Sequence, residues 1–141
     1  MKPFEVVLDT NVIVAALRSS GGVSYRLLTE VGRNRRFNIH LSVPLLLEYE
    51  DVLKRVAQVP LTEQAVDDVL DYLCSVAELH EIFFLWRPIL RDPKDDLVLE
   101  AAVAGSCDGI VTYNKRDFTG VETFGLWVET PSEFLQRIGA K

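Results

Sequence analysis

Phe4-Glu5-Val6-Val7-Leu8-Asp9-Thr10-Asn11-Val12-Ile13-Val14 is the stretch that decides the fold of this 141-residue chain. A short apolar run ends at a carboxylate, and a second apolar run begins almost at once. Asp9, Thr10 and Asn11 can each cap a helix through a side-chain oxygen. The stretch therefore reads as strand, polar turn and helix, the opening unit of a sheet covered by helices. Asp9 stands at the carboxyl edge of that strand, where open α/β sheets build their sites.

Working outward, strand-like and helix-like segments keep alternating, with no repeat, low-complexity tract or linker. Strands are expected at Phe4–Leu8, 37–41, 81–85, 109–112 and 123–128. Helices are expected near 11–18, 24–33, 43–57, 62–78, 93–104 and 131–138. This order predicts a mainly parallel sheet with helices on both faces. Ser42 precedes a helix with Pro44 in its first turn, and Thr62 can cap the next one. Asp92 sits before Pro93 in the same way. Thr130-Pro131-Ser132-Glu133 has the spacing of a capping box, and Gly105 closes the fifth helix.

The length fits one domain spanning 1–141, able to bury roughly two-thirds of its unfolded surface. Apolar residues make up 48% and charged residues 26%, an ordinary globular balance. The first segment is too short and too polar for a signal peptide or a membrane span. Cys74 and Cys107 lie far apart without metal-ligand spacing and read as reduced core thiols. These features predict a cytoplasmic protein with no membrane association.

A net charge of −6 argues on its face against nucleic acid. Acids that bind a metal would be cancelled locally, however, and net charge does not describe a cleft. Arg33, Arg35 and Arg36; Lys54 and Arg55; Arg87, Arg91 and Lys94; and Lys115 and Arg116 form basic clusters. Any one of them reads first as a solvated patch, and together they allow an RNA-binding rim.

The candidate chemistry is acidic. Asp9 reads as a site acid or as a turn and cap acid. On the helix near 43–57, Leu45, Val52 and Val56 recur at helical spacing about Glu48, which puts that carboxylate within or beside the apolar stripe. An unpaired carboxylate there costs several kcal/mol, on the order of what burying a polar group costs. A salt bridge or a reach to solvent is the competing reading. Asp92 and Asp95 have a capping role to fill. Asp96 falls outside that device and shares a face with Leu99 and Val103, so it is the acid of this run expected in the site.

Farther on, Gly109-Ile110-Val111-Thr112-Tyr113-Asn114-Lys115-Arg116-Asp117-Phe118 is a second apolar strand ending in polar groups. Thr112 and Asn114 can hydrogen-bond a phosphate or a metal-bound water, and Asp117 supplies charge, although turn chemistry also suits Asn114 and Asp117. His40 and His80 have no evident nucleophile or metal partner and read as structural. Trp86 and Trp127 read as core or interface anchors. Carboxylates gathered in one place repel and lose hydration, so such a set calls for a cation. Hard oxygen ligands favour Mg²⁺ or Mn²⁺, ions suited to phosphodiester chemistry.

Val7-Leu8-Asp9-Thr10-Asn11-Val12, Ser42-Val43-Pro44-Leu45-Leu46-Leu47-Glu48-Tyr49, Asp92-Pro93-Lys94-Asp95-Asp96 and Val111-Thr112-Tyr113-Asn114-Lys115-Arg116-Asp117-Phe118 together resemble the ordered motifs of PIN-domain ribonucleases. The resemblance spans most of the chain, and the nearest type is the VapC-like toxin of a toxin–antitoxin pair. It implies a three-layer α/β/α sandwich, metal-dependent RNA cleavage, dimerisation and inhibition by a small antitoxin. Asp9, Glu48 and Asp96 match the first three family acids, while the fourth position falls on Asn114 or on Asp117. Asp9 and Asp96 would then hold the principal Mg²⁺ or Mn²⁺, and Glu48 would orient or deprotonate the attacking water. Asp117 or Asn114 would help hold a second ion, and the products would carry a 5′-phosphate and a 3′-hydroxyl.

A structure-specific DNA nuclease and a noncatalytic PIN-fold binding protein remain as alternatives. Two aromatic segments, Ile82-Phe83-Phe84-Leu85-Trp86 and Phe124-Gly125-Leu126-Trp127-Val128, are the expected surfaces for a homodimer or a partner.

Overall fold

The strand that opens the chain becomes the middle of the sheet. The computed structural model describes residues 2–82 and 89–140. β1 (Phe4–Leu8) pairs in parallel with β2 (Phe37–Ser42) on one side and β4 (Gly109–Val111) on the other. β3 (Glu78–His80) and β5 (Trp127–Glu129) close the edges, giving the parallel order β3-β2-β1-β4-β5. Central placement explains why Val6, Val7 and Leu8 are fully apolar and buried, since a parallel sheet is covered on both faces.

The helices are α1 (Thr10–Arg18), α2 (Val23–Glu30), α3 (Val43–Asp51), α4 (Glu63–Val76), α5 (Pro93–Ala104) and α6 (Pro131–Arg137). α2 packs on both α1 and α6, while α3 packs on both α4 and α5. α5 lies against β1, β2 and β4, and α6 against β5. The result is a three-layer α/β/α sandwich. The expected caps form: Ser42 accepts from Leu45 N, Thr62 from Ala65 N and Asp92 from Lys94 N, and the Thr130–Glu133 box is complete. Each such cap stabilises its helix by about 1 kcal/mol.

Three expectations are corrected. The described third strand, β3, runs Glu78–His80, ahead of the expected 81–85, with Glu81 and Ile82 outside it, and α4 ends at Val76 rather than at 78. Glu78 and Leu79 are exposed, so this edge strand carries no buried apolar pattern to mark it, and residues 83–85 lie outside the described ones. The fifth strand does not begin at 123. Residues Val121–Phe124 form a 3₁₀ turn, Gly125 takes a left-handed φ of 78°, and only Trp127–Glu129 pairs with β4. That φ is open to glycine at little cost and breaks the strand there. The helix expected over 43–57 changes form at Val52–Val56, where a π turn closes with Ala57 N donating to Val52 O at 2.7 Å.

Of the two aromatic segments, the one at 124–128 departs from expectation. Leu126 is buried, and Phe124, Trp127 and Val128 pack against the core, so that segment is no free surface. Of Ile82-Phe83-Phe84-Leu85-Trp86, only Ile82 lies within the described residues. The exposed apolar side chains include Val43, Leu47 and Val56 instead. Among the described residues, no helix is long and apolar enough to cross a membrane.

Candidate functional site

The carboxyl ends of β1 and β4 lie side by side, because Leu8 is paired with Val111. Asp9 and Thr112 are the next residues on each strand, and this register brings them together. Thr112 Oγ1 donates to Asp9 Oδ2 at 2.7 Å, and Thr10 N donates to Asp9 Oδ1 at 2.8 Å. The same threonine oxygen accepts from Asn114 N at 3.0 Å and from Asn11 Nδ2 at 3.4 Å. Both are obligate donors, so the single hydroxyl hydrogen has only Asp9 to serve. Tyr49, fully buried on α3, donates its hydroxyl to Leu8 O and ties that helix to the end of β1.

Around Asp9 opens a cleft of about 370 Å³. Its acids come from four places: Asp9, Glu48 on α3, Asp92 and Asp95 at the start of α5, and Asp117 after β4; Asn114 also lines it. The electrostatics follow from that crowding. Burial pushes the Asp9 carboxyl above its ordinary range, and Asp117 and Asp92 push it further against the bonds from Thr112 and Thr10. Burial also raises Glu48, with Asp51, Asp92 and Asp9 adding to the shift and Lys94 opposing it. Asp95 is pushed up to about 7, by burial first and then by Asp9, Asp117, Asp92 and Asp96. Lys94 is the cation beside Glu48, with Nζ 3.9 Å from Glu48 Oε2.

The structure brings Asp9, Glu48, Thr112, Asn114 and Asp117 to this one region. Asp95 and Asp96 stand otherwise than the sequence suggested. Asp95, expected only at the helix start, lines the cleft. Asp96 is 1% exposed, its Oδ1 accepts from Leu90 N at 2.9 Å, and its Oδ2 has no partner among the described residues. It is buried and does not line the cleft.

Every anionic donor here is a hard oxygen, and the upward shifts come from burial first and from neighbouring acids second. That donor chemistry fits a hard divalent ion. Among the described residues, however, no three His, Cys, Asp or Glu side chains converge closely enough to hold one as they stand.

Sequence reasoning missed two features. Arg18 lines the same cleft, in a stripe with Asn11 and Val14 whose spacing of three and then four residues was readable on the helix. His40 and His80, read as structural but not as a pair, bond to each other: Nδ1 and Nε2 are 2.7 Å apart, and His40 Nε2 lies 2.7 Å from Glu5 Oε1. No local spacing signals that contact, because β2–β3 pairing alone creates it.

The parallel five-stranded sheet and the acid-lined cleft at its carboxyl edge define an α/β fold with its site at the strand ends. The family model for the PIN domain matches residues 5–116, and the chain belongs to that family. The match takes in Asp9, Glu48, Asp95, Asp96, Thr112 and Asn114 and stops one residue short of Asp117. No curated protein matches the chain. Among solved structures, the chain resembles the crystal structure of VapBC2 from Rickettsia felis bound to a DNA fragment from their promoter. The TM-score is 0.60 at 19% identity, covering 89% of this chain and 98% of the other. At that identity the likeness is one of fold.

Proposed function

We propose that this protein is a divalent-metal-dependent ribonuclease that hydrolyses RNA phosphodiester bonds. The observation that carries the reading is the set of mutually repelling carboxylates, with Asp9 fixed by Thr112, at the strand ends of a PIN domain. Asp9, Asp95 and Asp117 would hold Mg²⁺ or Mn²⁺, with Asn114 holding a water of its shell. Asp95 takes the place first given to Asp96 because it lines the cleft, whereas Asp96 is engaged by Leu90 N. Bound there, the ion would acidify water and offset charge at the phosphoryl group.

Glu48 is assigned the base. It accepts a proton from the attacking water, whose oxygen forms the new P–O bond as the bond to the 3′-oxygen breaks. That oxygen leaves and takes a proton from solvent, giving a 5′-phosphate and a 3′-hydroxyl. Burial raises the affinity of Glu48 for a proton, which suits this task. Thr112 holds Asp9, and Asp96 holds the backbone at Leu90 beside the start of α5.

The test is a gel assay on matched RNA and DNA strands, after chelation and then with Mg²⁺ or Mn²⁺ restored, using wild type and Glu48→Gln. RNA cleavage that needs the ion and Glu48 is expected. Cleavage of DNA alone selects a DNA nuclease. RNA binding without cleavage by either ion selects a noncatalytic PIN module, a reading favoured by Asn114 at an acid position and by donors that stand apart.

The VapBC2 assembly that shares this fold is, by its description, a complex bound to its promoter DNA. By that likeness we assign the present chain the toxin role, with a small antitoxin protein as partner. A homodimer through Val43 and Leu47, one turn apart and 61% and 55% exposed on α3, accompanies it. Co-expression with the adjacent small reading frame tests the partner, and sedimentation of wild type against Leu47→Glu tests the dimer.

A further inference from the structure

Leu45, Tyr49 and Leu53 recur at four-residue spacing and are all buried, so they form one core-facing stripe along α3 and into its π turn. Packing alone would be served by a third apolar side chain at position 49. The hydroxyl is extra, and a buried phenol needs a partner. It finds one at Leu8 O, the last carbonyl of β1. Asp9 N donates to Val111 O at 2.9 Å, and in a trans peptide the Leu8 carbonyl of the same unit points the opposite way, away from β4. On that side the β1–β2 register stops at Val6. The end of β1 is therefore laddered on one side only, and the Tyr49 hydroxyl serves the other.

The two ends of this bond are the chain neighbours of two cleft acids. Tyr49 follows Glu48, and Leu8 precedes Asp9. Asp9 is held on its own account by Thr112 and Thr10. Glu48 is not: among the described residues its carboxylate accepts no hydrogen bond and meets only Lys94, at 3.9 Å. Its helix lends little support just beyond it. Val52 N is shared between Glu48 O and Tyr49 O, and the turn that follows takes the wider π form. The place of Glu48 relative to Asp9 therefore depends on the two backbones, and the Tyr49 bond spans them directly.

We infer that Tyr49 is a positioning residue: its hydroxyl sets the spacing between Glu48 and Asp9, and it acts on hydrolysis through Glu48. The inference rests on the base assigned to Glu48 above. A base works only within hydrogen-bond reach of its proton, roughly 2.6–3.2 Å. A misplacement of about 1 Å can cost on the order of 10²-fold in rate. Without the hydroxyl the carboxylate keeps its chemistry, but α3 is free to drift from the strand end. Tyr49 is buried and does not line the cleft, so the loss falls on turnover rather than on the binding of RNA or metal.

Tyr49→Phe keeps the ring and removes the donor. Per folded molecule at saturating Mg²⁺, its kcat should fall about tenfold to a hundredfold. KM for RNA and the Mg²⁺ concentration at half-maximal activity should stay within about twofold of wild type. Tyr49→4-aminophenylalanine, whose N–H donates from the same end of the ring, should restore most of kcat. In a Glu48→Gln background Tyr49→Phe should cost nothing further, since its effect passes through Glu48. Tyr72→Phe is the matched control: it removes another hydroxyl–carbonyl bond, to Val31 O at 2.6 Å, and should leave kcat unchanged. Backbone ¹⁵N relaxation dispersion on the metal-free protein reads the spacing without catalysis. The Asp9 and Glu48 amides should give flat profiles in wild type and Tyr72→Phe, and show microsecond-to-millisecond exchange in Tyr49→Phe.

Wild-type kcat in Tyr49→Phe, or the same further loss when that change is added to Glu48→Gln, overturns the inference. Flat profiles at Asp9 and Glu48 in Tyr49→Phe do so as well. If Tyr72→Phe lowers kcat as much as Tyr49→Phe, the bond serves general stability, and the inference also fails. The function proposed above fails in a different way. Absence of RNA cleavage by wild type sinks the nuclease reading, and the relaxation profiles then still decide whether the hydroxyl sets this spacing. RNA cleavage that survives unchanged in Tyr49→Phe sinks the positioning role alone.

Discussion

Titratable groups gather in two places in this molecule, and the two obey opposite rules. At the carboxyl end of β1, Asp9, Glu48, Asp95 and Asp117 surround a cleft, where burial first and neighbouring acids second raise the proton affinity of Asp9, Glu48 and Asp95. On the β2–β3 side, His40, His80 and Glu5 form a closed chain of bonds. The imidazole rings lie nearly parallel at 2° with centroids 4.9 Å apart, and Asn38 Nδ2 donates to the second Glu5 oxygen at 3.2 Å. A Cβ on Gly105 would press on both ring nitrogens, so the knot has a glycine under it. In the knot each donor meets an acceptor, and His80 is held below its ordinary range by burial and by His40. In the cleft, acids meet acids. Complementary groups account for themselves structurally; like charges held together call for something from outside.

Substitutions should separate the two regions. The largest effect belongs to Glu48→Gln, which should lower metal-dependent RNA cleavage by roughly 10²–10⁴, the usual worth of a general base. Its metal-free melting temperature should match or exceed that of wild type, because a repelled charge has been removed. A clear fall in that temperature would show Glu48 to be structural. His40→Ala should behave in reverse. It strands Glu5 and His80 and should cost about 1–3 kcal/mol in urea denaturation, while turnover per folded molecule stays unchanged. Lost turnover in the folded His40→Ala protein would join the two regions and break the contrast.

A smaller effect should divide the two residues at the uncertain fourth position. Asp117→Asn removes a charge that Asp9 and Asp95 both feel, so the ion concentration at half-maximal activity should rise about tenfold or more, as when a supporting ligand is lost. Asn114→Ala removes a neutral group whose backbone, not its side chain, bonds Thr112, and should shift that concentration less. The opposite ranking would give the fourth position to Asn114.

Much of the fold was legible because the same residues that form the elements also end them. The apolar run before Asp9, the caps at Ser42, Thr62, Asp92 and Thr130, and the run before Thr112 all lie in local spacing. β3 was not legible, since an exposed edge strand of three residues has no apolar alternation. The region of the site was readable from its strand ends, but the choice between Asp95 and Asp96 was not. Both are acids in the first turn of α5, and which one turns inward depends on where residue 90 runs, a tertiary fact. The His40–His80 bond was hidden for the same reason, being made by a strand register rather than by spacing.

The smallest effect is a matter of pH, and it tests whether Asp95 truly belongs to the repelling set. In the folded protein its carboxyl titrates at about 7; unfolded, it titrates near 3.9, the usual value for aspartate. Between those values the folded state keeps a proton that the unfolded state has lost. Stability from this group is therefore fully present below about pH 4 and is lost as pH rises through 7. The side chain is only partly buried, so solvent screening reduces the effect to the order of 1 kcal/mol, or about 2–4 °C in melting temperature. Metal-free Asp95→Asn should accordingly gain on wild type as pH rises from 4.5 to 7.5. Asp9 and Glu48 shift in the same direction and remain in both proteins, so the difference between the two melting curves isolates Asp95. Adding Mn²⁺ at pH 7.5 should then stabilise wild type more than the variant, because the ion relieves a repulsion the variant lacks. If the two curves run parallel across this range and respond equally to Mn²⁺, Asp95 is a helix-start acid, and the cleft must be completed without it.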